Sequence, residues 1–245
     1  VIDAGCGEDT DAFGAAVTLA KADTERPSLI IVHTVIGHGS SKAGSASCHG
    51  APLGEDVLAD MKAAMGWKQP PFTAHPGAAG FTAEVKARGA KATGEWNKLM
   101  RAYKAAYPEL HAELTRRIKG KFPDLAHDEE FIAAAPSGDA ATRVHSGAVL
   151  NWIADNRMPE LVGGSADLGP SNNSVMKSRG YYSAETPSET NIHFGVRELA
   201  MASVCNGLYL HGGFKPYCAT FFVFSDYMKY AIRMSAIMKL PVTYI

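Results

Sequence analysis

Apolar residues along the first half of the chain recur with two periods, one typical of amphipathic helices and one typical of short buried strands. Helical spacing predicts a helix over 9–22, and an apolar run at 28–35 then predicts a strand. Further helices are predicted over 52–67 and 82–119, with a break or a new first turn at Pro108. A helix followed by a buried strand is typical of an α/β protein.

The second half continues the same alternation. The patterns predict helices over 142–156, 196–210 and 222–239, and strands over 160–164, 215–221 and 242–245. Helices that alternate with short apolar strands indicate a mostly parallel sheet that is covered on both faces. A stretch rich in Pro, Ser and Gly separates the halves. We therefore predict an α/β fold with one domain over 1–120, a linker over 121–137 and a second domain over 138–245.

Both ends of the chain are abrupt. Residues 242–245 have the pattern of a buried parallel strand, but no crossover segment follows them. The chain begins at Val1, in an apolar pair and without Met. We expect an interior segment of a longer polypeptide, in which both domains are incomplete.

Composition and charge narrow the class of protein. The chain is 46% hydrophobic and 20% charged, which is typical of a globular protein. Its formal net charge is −1, so no global field would attract nucleic acid or a membrane surface. Apolar runs are too short to span a bilayer, and the four cysteines form no CxxC pair. We expect a soluble cytoplasmic protein without nucleic-acid or membrane partners.

One carboxylate and three aromatic residues in the second half indicate a binding pocket. Glu198 falls at the predicted start of a helix, and Phe221, Phe224 and Tyr227 follow at intervals of three. Aromatic faces can hold a flat heterocycle while a carboxyl group exchanges a proton with its ring nitrogen. Two alternatives stay open: Glu198 could only complement the helix dipole, and the aromatic residues could form a core stripe.

Five motifs in a fixed order carry a family resemblance that extends over nearly the whole chain. They are IGHGS (36–40), CHGAPLG (48–54), GGSADLGPSN (163–172), HFGVRE (193–198) and HGGFKPYCATFFVFSDY (211–227). Together they resemble the transketolases, which are enzymes that use thiamine diphosphate. The resemblance implies two thiamine diphosphate-binding-type domains, the first binding the diphosphate and the second the pyrimidine. It also implies a homodimer with active sites at the subunit interface, acting on sugar phosphates in the pentose phosphate pathway.

The resemblance assigns cofactor and substrate roles to individual residues. Glu198 would promote the reactive tautomer of the cofactor's aminopyrimidine and is the first candidate for a catalytic residue. The implied cofactor contacts are Ile36, Asp167, Leu168, Phe221, Phe224 and Tyr227. His49 lies in a Gly/Ser-rich loop, where a neutral imidazole could bind a sugar hydroxyl or carry its proton.

Arg143 and Ser171 match the family's positions for the terminal phosphate of the substrate. A guanidinium fork and a hydroxyl are both suitable phosphate donors. An arginine in the first turn of a helix is poorly placed for the helix dipole, which favours an external anion as its partner. A surface salt bridge is the alternative for Arg143.

One expected motif is absent. Transketolases hold a divalent metal, Mg or Ca, through a Gly-Asp-Gly motif and a later Asn, and here Gly138-Asp139 is followed by Ala. We therefore expect no metal ligands in this chain, and we expect the 245-residue segment to be inactive by itself. Two alternatives to a transketolase stay open: a dihydroxyacetone synthase, which shares these motifs, and a non-catalytic dimerising fragment or paralogue.

Overall fold

The structure, a computed structural model, describes all 245 residues and divides into two compact units. The first unit is Val1–Lys91 and the second is Ala92–Ile245. Parallel strand pairing between helices confirms the predicted α/β class. The linker predicted at 121–137 lies inside the second unit, and the predicted domain boundary stays a prediction.

The first unit is built on a parallel pair of strands. Its elements are β1 (Ile2–Cys6), α1 (Thr10–Ala22), β2 (Ile30–His33), a 3₁₀ turn (Ala46–Cys48) and α2 (Glu55–Ala64). The side chain of Asp9 caps α1 by accepting a hydrogen bond from the Ala12 N–H at 2.9 Å. β2 is shorter than predicted because the chain turns after it, where the His38 N–H donates to the Val35 carbonyl. The 31-residue helix α3 (Pro76–Ala106) begins in this unit.

The second unit contains a three-stranded parallel sheet and most of the helices. Its further elements are α4 (Pro108–Ile118), α5 (Glu129–Ala133), α6 (Thr142–Asn156), β3 (Leu161–Ser165), α7 (Gly169–Asn172), α8 (Glu198–His211), β4 (Lys215–Ala219), α9 (Lys229–Ile237) and β5 (Thr243–Tyr244). The strand order is β3-β4-β5. Pro108 is the first residue of α4, as predicted. None of the helices combines the length and the apolar character needed to cross a membrane.

Two glycines in β3 let its neighbours approach closely. A Cβ atom on Gly163 would lie 2.0 Å from the Tyr217 carbonyl oxygen, and one on Gly164 would lie 2.1 Å from the Ile192 carbonyl oxygen. Asn191 pairs with Gly163 in the parallel sense, and the Ile192 N–H donates to the Gly163 carbonyl at 2.7 Å. The 191–192 segment therefore runs beside β3 on the side away from β4.

Helices cover both faces of this sheet. Successive residues of β4 point to opposite faces, so Tyr217 and Cys218 belong to different core clusters. The first cluster joins Cys218 to residues of α8, including the fully buried Met201. The second joins Tyr217 to Leu150 and other residues of α6. This packing of helix, sheet and helix in three layers is typical of a doubly covered parallel sheet.

A buried ion pair ties α4 to the sheet. Arg116 donates from both terminal nitrogens to the carboxylate of Glu160, at 2.8 and 2.9 Å. The Glu160 side chain has no solvent exposure, and its carbonyl accepts from the Lys215 N–H at the start of β4. Arg116 also forms two hydrogen bonds with Glu113 one turn earlier on α4. The pair therefore fixes the entry into β3.

Candidate binding site at the carboxyl edge of the sheet

Most of the predicted site residues of the second unit follow the carboxyl ends of parallel strands. Asp167 and Leu168 come directly after β3, and Phe221 comes after β4. Ligands of open parallel sheets bind outside these carboxyl ends. Asp167 adopts a left-handed backbone conformation, with φ of 61°, and its N–H donates to the Ser165 carbonyl. Strained residues of this kind are enriched at functional sites.

Glu198 is the first residue of α8, as predicted, and its side chain enters a cleft. Glu198 is 9% exposed and forms no hydrogen bond or ion pair within the chain. The cleft has a volume of about 570 Å³ and is lined by Glu198, Arg197, Leu199, Ala200 and Tyr227. The carboxyl oxygens of Glu198 remain accessible from this cleft. The geometry therefore suits a ligand group that completes the hydrogen bonding of Glu198.

The three predicted aromatic residues line up through a 3₁₀ helix. Residues Phe222–Met228 form this helix, whereas the apolar spacing predicted an α-helix over the whole of 222–239. A 3₁₀ helix has three residues per turn, so Phe221, Phe224 and Tyr227 fall in one row. The rings of Phe224 and Tyr227 stack with centroids 6.2 Å apart and an interplanar angle of 18°. Tyr227 is 63% exposed and lines the Glu198 cleft, and the ring of Phe224 stacks behind it.

The turn after β3 is held by a buried polar network. The Ser165 hydroxyl donates to the Ala219 carbonyl at 3.0 Å and accepts from the Leu168 N–H at 3.3 Å. The buried side chain of Asn172 also contacts this hydroxyl at 3.0 Å. These contacts fix the start of the short helix α7, on which Ser171 is exposed.

Arg143 and Ser171 lie on neighbouring elements. Arg143 is the second residue of α6, which packs against α7, and it is exposed without an ion pair or a side-chain hydrogen bond. A cavity of about 480 Å³ lies between the two helices and is lined in part by Val144 and Pro170. Each of these lining residues is the chain neighbour of Arg143 or Ser171. Arg143 and Ser171 thus lie next in sequence to the lining of one cavity, and the salt bridge considered as an alternative for Arg143 is not formed.

Ile36 and His49 lie in one compact loop of the first unit, after the carboxyl end of β2. The Lys42 ammonium group donates to the Leu53 carbonyl at 2.9 Å, and the Cys48 thiol donates to the Lys42 carbonyl at 3.0 Å. These bonds fold the loop on itself and leave Ile36 and His49 exposed to solvent. Both side chains are thus available to a ligand. No group of three or more His, Cys, Asp or Glu side chains in the chain could hold a metal ion.

The structure adds residues that the sequence did not single out. Thr220 follows β4 and is 7% exposed, yet its hydroxyl has no hydrogen-bond partner. A polar residue placed directly after a buried strand is the signal that could have identified it. Tyr181 and His193 stack with ring centroids 3.7 Å apart and an interplanar angle of 10°. Nothing in the local sequence pattern predicts that pairing.

Comparison with known families accounts for both halves of the chain. Residues 1–123 match the thiamine diphosphate binding domain of transketolase, and residues 139–245 match its pyrimidine binding domain. The fold and these matches therefore define a thiamine diphosphate-binding α/β protein. The chain belongs to the transketolase family.

Individual relatives and solved structures agree with this membership. A probable transketolase of Streptococcus pneumoniae is 45% identical over 241 residues, covering 98% of this chain and 36% of that protein. The transketolase structure from Leishmania mexicana superposes with a TM-score of 0.86 at 33% identity, covering 99% of this chain and 36% of that one. A Pichia stipitis transketolase in complex with sedoheptulose-7-phosphate gives a TM-score of 0.80 at 37% identity, covering 96% and 36%. The chain thus spans about a third of the length of these proteins.

Proposed function

We propose that the protein carrying this chain is a transketolase, which moves a two-carbon ketol unit from a ketose phosphate to an aldose phosphate. The observation that carries the proposal is the side chain of Glu198. It is nine-tenths buried, lacks any partner in the chain and lines a cleft with Tyr227. A proton-exchanging carboxyl group beside an aromatic side chain suits the pyrimidine end of thiamine diphosphate.

The residues of the second unit fit that end of the cofactor. Phe221, Phe224 and Tyr227 would hold the pyrimidine ring, and Glu198 would share a proton with its ring nitrogen through a carboxyl oxygen. Bound thiamine diphosphate supplies the nucleophilic carbon that side chains of proteins lack. Each ring contact would contribute about 0.5–1.5 kcal/mol beyond the area it buries.

The remaining cofactor contacts belong to the same proposal. Leu168 precedes α7 in a turn that Ser165 holds rigid, so it would support the cofactor from a fixed position. Asp167 would lie near the thiazolium ring, where its carboxylate suits a positive charge. Ile36, on the compact loop of the first unit, would contact the cofactor with an exposed apolar side chain.

Substrate binding is assigned to three side chains. Arg143 on α6 and Ser171 on α7 lie next in sequence to residues that line the cavity between these helices, and they would bind the terminal phosphate of the sugar. The unpaired guanidinium of Arg143 supports this role, and so does the sugar phosphate bound by the Pichia stipitis relative. His49 would bind a sugar hydroxyl and carry its proton.

A homodimer completes the proposal. Large apolar side chains after β4 are exposed, including Phe222 at 93%, Val223 at 69% and Tyr230 at 77%. Contiguous exposed apolar surface is typical of protein–protein interfaces. We assign it to the partner subunit, with the active sites at the interface. A divalent metal held outside this chain, a place in the pentose phosphate pathway and a cytoplasmic location belong to the same proposal.

Substitution of Glu198 tests the assignment. In the full-length protein, Glu198→Gln keeps the shape of the side chain but removes its proton exchange, and turnover should fall about 10²–10⁴-fold. Glu55→Gln is a matched control, because Glu55 is the first residue of α2 and is exposed. Near-normal turnover in the Glu198 variant would remove this residue from the mechanism. Absence of ketol transfer by the unmodified protein would favour the non-catalytic alternative.

The choice of acceptor separates the proposal from a dihydroxyacetone synthase. The relatives reported above carry the transketolase name, and no feature of the site favours that alternative. Parallel assays with an aldose phosphate and with formaldehyde should show turnover with the aldose phosphate. Preferential use of formaldehyde would reject the transketolase assignment.

A further inference from the structure

A third cavity lies at the same sheet edge, and of its polar side chains only Asp167 has been given a ligand contact above. Its volume is about 250 Å³, below the roughly 300–1,000 Å³ of pockets that hold drug-sized ligands. Its polar lining comes from Ser165, Asp167, Ser174, Tyr181, Asn191 and His193. The cavity therefore suits a small polar molecule, or part of one.

The backbone brings three of these side chains together. The 191–192 segment runs beside β3, so His193 emerges at the same carboxyl edge as Asp167. Tyr181 pairs with Asn191 through a parallel bridge, and its ring stacks on the imidazole of His193 with centroids 3.7 Å apart. Stacking on the Tyr181 ring fixes the plane of the imidazole. The directions in which its ring nitrogens form hydrogen bonds are therefore fixed as well.

The polar groups of these three side chains have no partners inside the protein. The carboxylate of Asp167, the hydroxyl of Tyr181 and both ring nitrogens of His193 form no hydrogen bond or ion pair within the chain. The other polar lining residues differ, because Ser165 and Asn191 are bonded to neighbouring groups. The cavity thus presents free hydrogen-bond donors and acceptors on three side chains. Its other polar side chains are already hydrogen-bonded within the protein.

The chemistry of the free groups selects the ligand. A neutral imidazole offers one donor and one acceptor, a phenol offers both, and a carboxylate only accepts. A phosphate would meet the negative charge of Asp167, whereas Arg143 offers an unpaired cation elsewhere. Neutral hydroxyl groups, which donate and accept, match the whole set.

We propose that this cavity, lined by Asp167 and the stacked pair Tyr181 and His193, binds hydroxyl groups on the carbon chain of the sugar substrate. The inference rests on the proposed function and adds a specificity-determining residue, His193, to it. His193 then discriminates between sugars by their hydroxyl groups, while Arg143 and Ser171 select the phosphate. This division of roles predicts which substrate analogues each variant will distinguish.

The test uses His193→Phe in the full-length protein with thiamine diphosphate and magnesium. Phenylalanine keeps a flat ring for the stack on Tyr181 and removes both ring nitrogens. Acceptors are an aldopentose 5-phosphate and its 2-deoxy and 3-deoxy analogues. We expect kcat/KM for the parent sugar to fall about 3- to 10-fold, the size of one hydrogen bond to a neutral group. For the analogue that lacks the recognised hydroxyl, the fall should be less than about twofold, because the lost interaction was already missing.

Two further variants keep the result interpretable. Tyr181→Phe removes only the hydroxyl and keeps the stack, so it serves if the His193 variant folds poorly. His211→Phe is the matched control, because His211 lies outside the cavity, with its ring 5.9 Å from Phe214. His211→Phe should leave the ratio of kcat/KM between the parent and deoxy sugars unchanged.

Several outcomes would overturn the inference. Equal losses on the parent and on both deoxy sugars, or no loss at all, would exclude hydroxyl recognition. A weaker dimer with an unchanged sugar preference, measured by analytical ultracentrifugation, would assign the stacked pair to the subunit interface instead. If the unmodified protein is inactive, the proposed function is overturned as well. If it is active and the variants give either of the two results above, only this inference is overturned.

Discussion

Removal of Arg116 should destabilise the second unit far more than removal of an exposed charge. Glu160 has no solvent exposure, and its two short hydrogen bonds from a side chain come from the Arg116 guanidinium, at 2.8 and 2.9 Å. The variant Arg116→Met keeps much of the side-chain volume and leaves the carboxylate of Glu160 buried without its cation. We therefore expect a large loss of folding free energy.

The size of the loss follows from this burial. Removal of one partner from a buried ion pair costs about 3–5 kcal/mol, because the remaining charge stays desolvated. The contacts of Arg116 with Glu113 add less than the pairing with Glu160, since the Glu113 carboxylate is about a third exposed. For a cooperative unit of this size, the cost corresponds to a fall in Tm of about 6–20 °C. The double variant Arg116→Met/Glu160→Met removes both charges and should be more stable than Arg116→Met alone.

Thermal and urea unfolding, followed by circular dichroism, would measure these differences. Lys229→Met is the control, because Lys229 pairs with Asp226 at 2.6 Å but both side chains are more than two-thirds exposed. It should change stability by less than about 0.5 kcal/mol. A cost of Arg116→Met no greater than that of the control would refute the reasoning, as would a double variant less stable than Arg116→Met.

Three further predictions concern phosphate binding, acid stability and the isolated chain. Arg143→Ala and Ser171→Ala should raise KM for phosphorylated sugars by about 10- to 100-fold while leaving unphosphorylated sugars nearly unaffected, and equal effects in steady-state kinetics would reject the phosphate assignment. Hydrogen bonds from Arg116 and then from Arg117 lower the pKa of Glu113 from 4.5 to about 2, so its contribution to stability is complete above pH 4.5 and is lost as the pH falls towards 2. Arg116→Met should flatten that part of an acid titration followed by circular dichroism, and an unchanged acid profile would contradict this cause. The isolated 245-residue chain should bind thiamine diphosphate weakly, because no cluster in it could hold a metal for the diphosphate, and micromolar binding by calorimetry with magnesium would disprove this.

The sequence predicts best those elements that have both a clear hydrophobic periodicity and a residue that marks one end. The helix predicted over 142–156 matches α6 residue for residue, and Pro108 begins α4 as expected. Glu198 lies at the first position of α8, where the motif placed it. In each case the position of the helix is decided locally. Helical periodicity and the restricted backbone of proline both affect only residues a few positions away.

Features that depend on distant residues escape sequence patterns. An α-helix and a 3₁₀ helix place apolar residues at similar intervals, so the change of helix type at Phe222–Met228 is invisible in the sequence. The stack of Tyr181 on His193 joins residues twelve positions apart across a loop. The missing hydrogen-bond partner of the buried Thr220 hydroxyl likewise emerges only from the packing around it.

The two glycines of β3 set a limit on how the binding edge can vary. Gly163 lies against the backbone of β4, which leads to Phe221, and Gly164 lies against the backbone that leads to His193. The lateral spacing between the aromatic row and the Tyr181–His193 stack therefore depends on the absence of a side chain at both glycine positions. Even alanine at either position would push a flanking strand outward and widen the gap that one ligand must bridge. Diversification of substrate preference in such a protein must come from the loops after the strands, because the width of the edge cannot change without loss of the sheet.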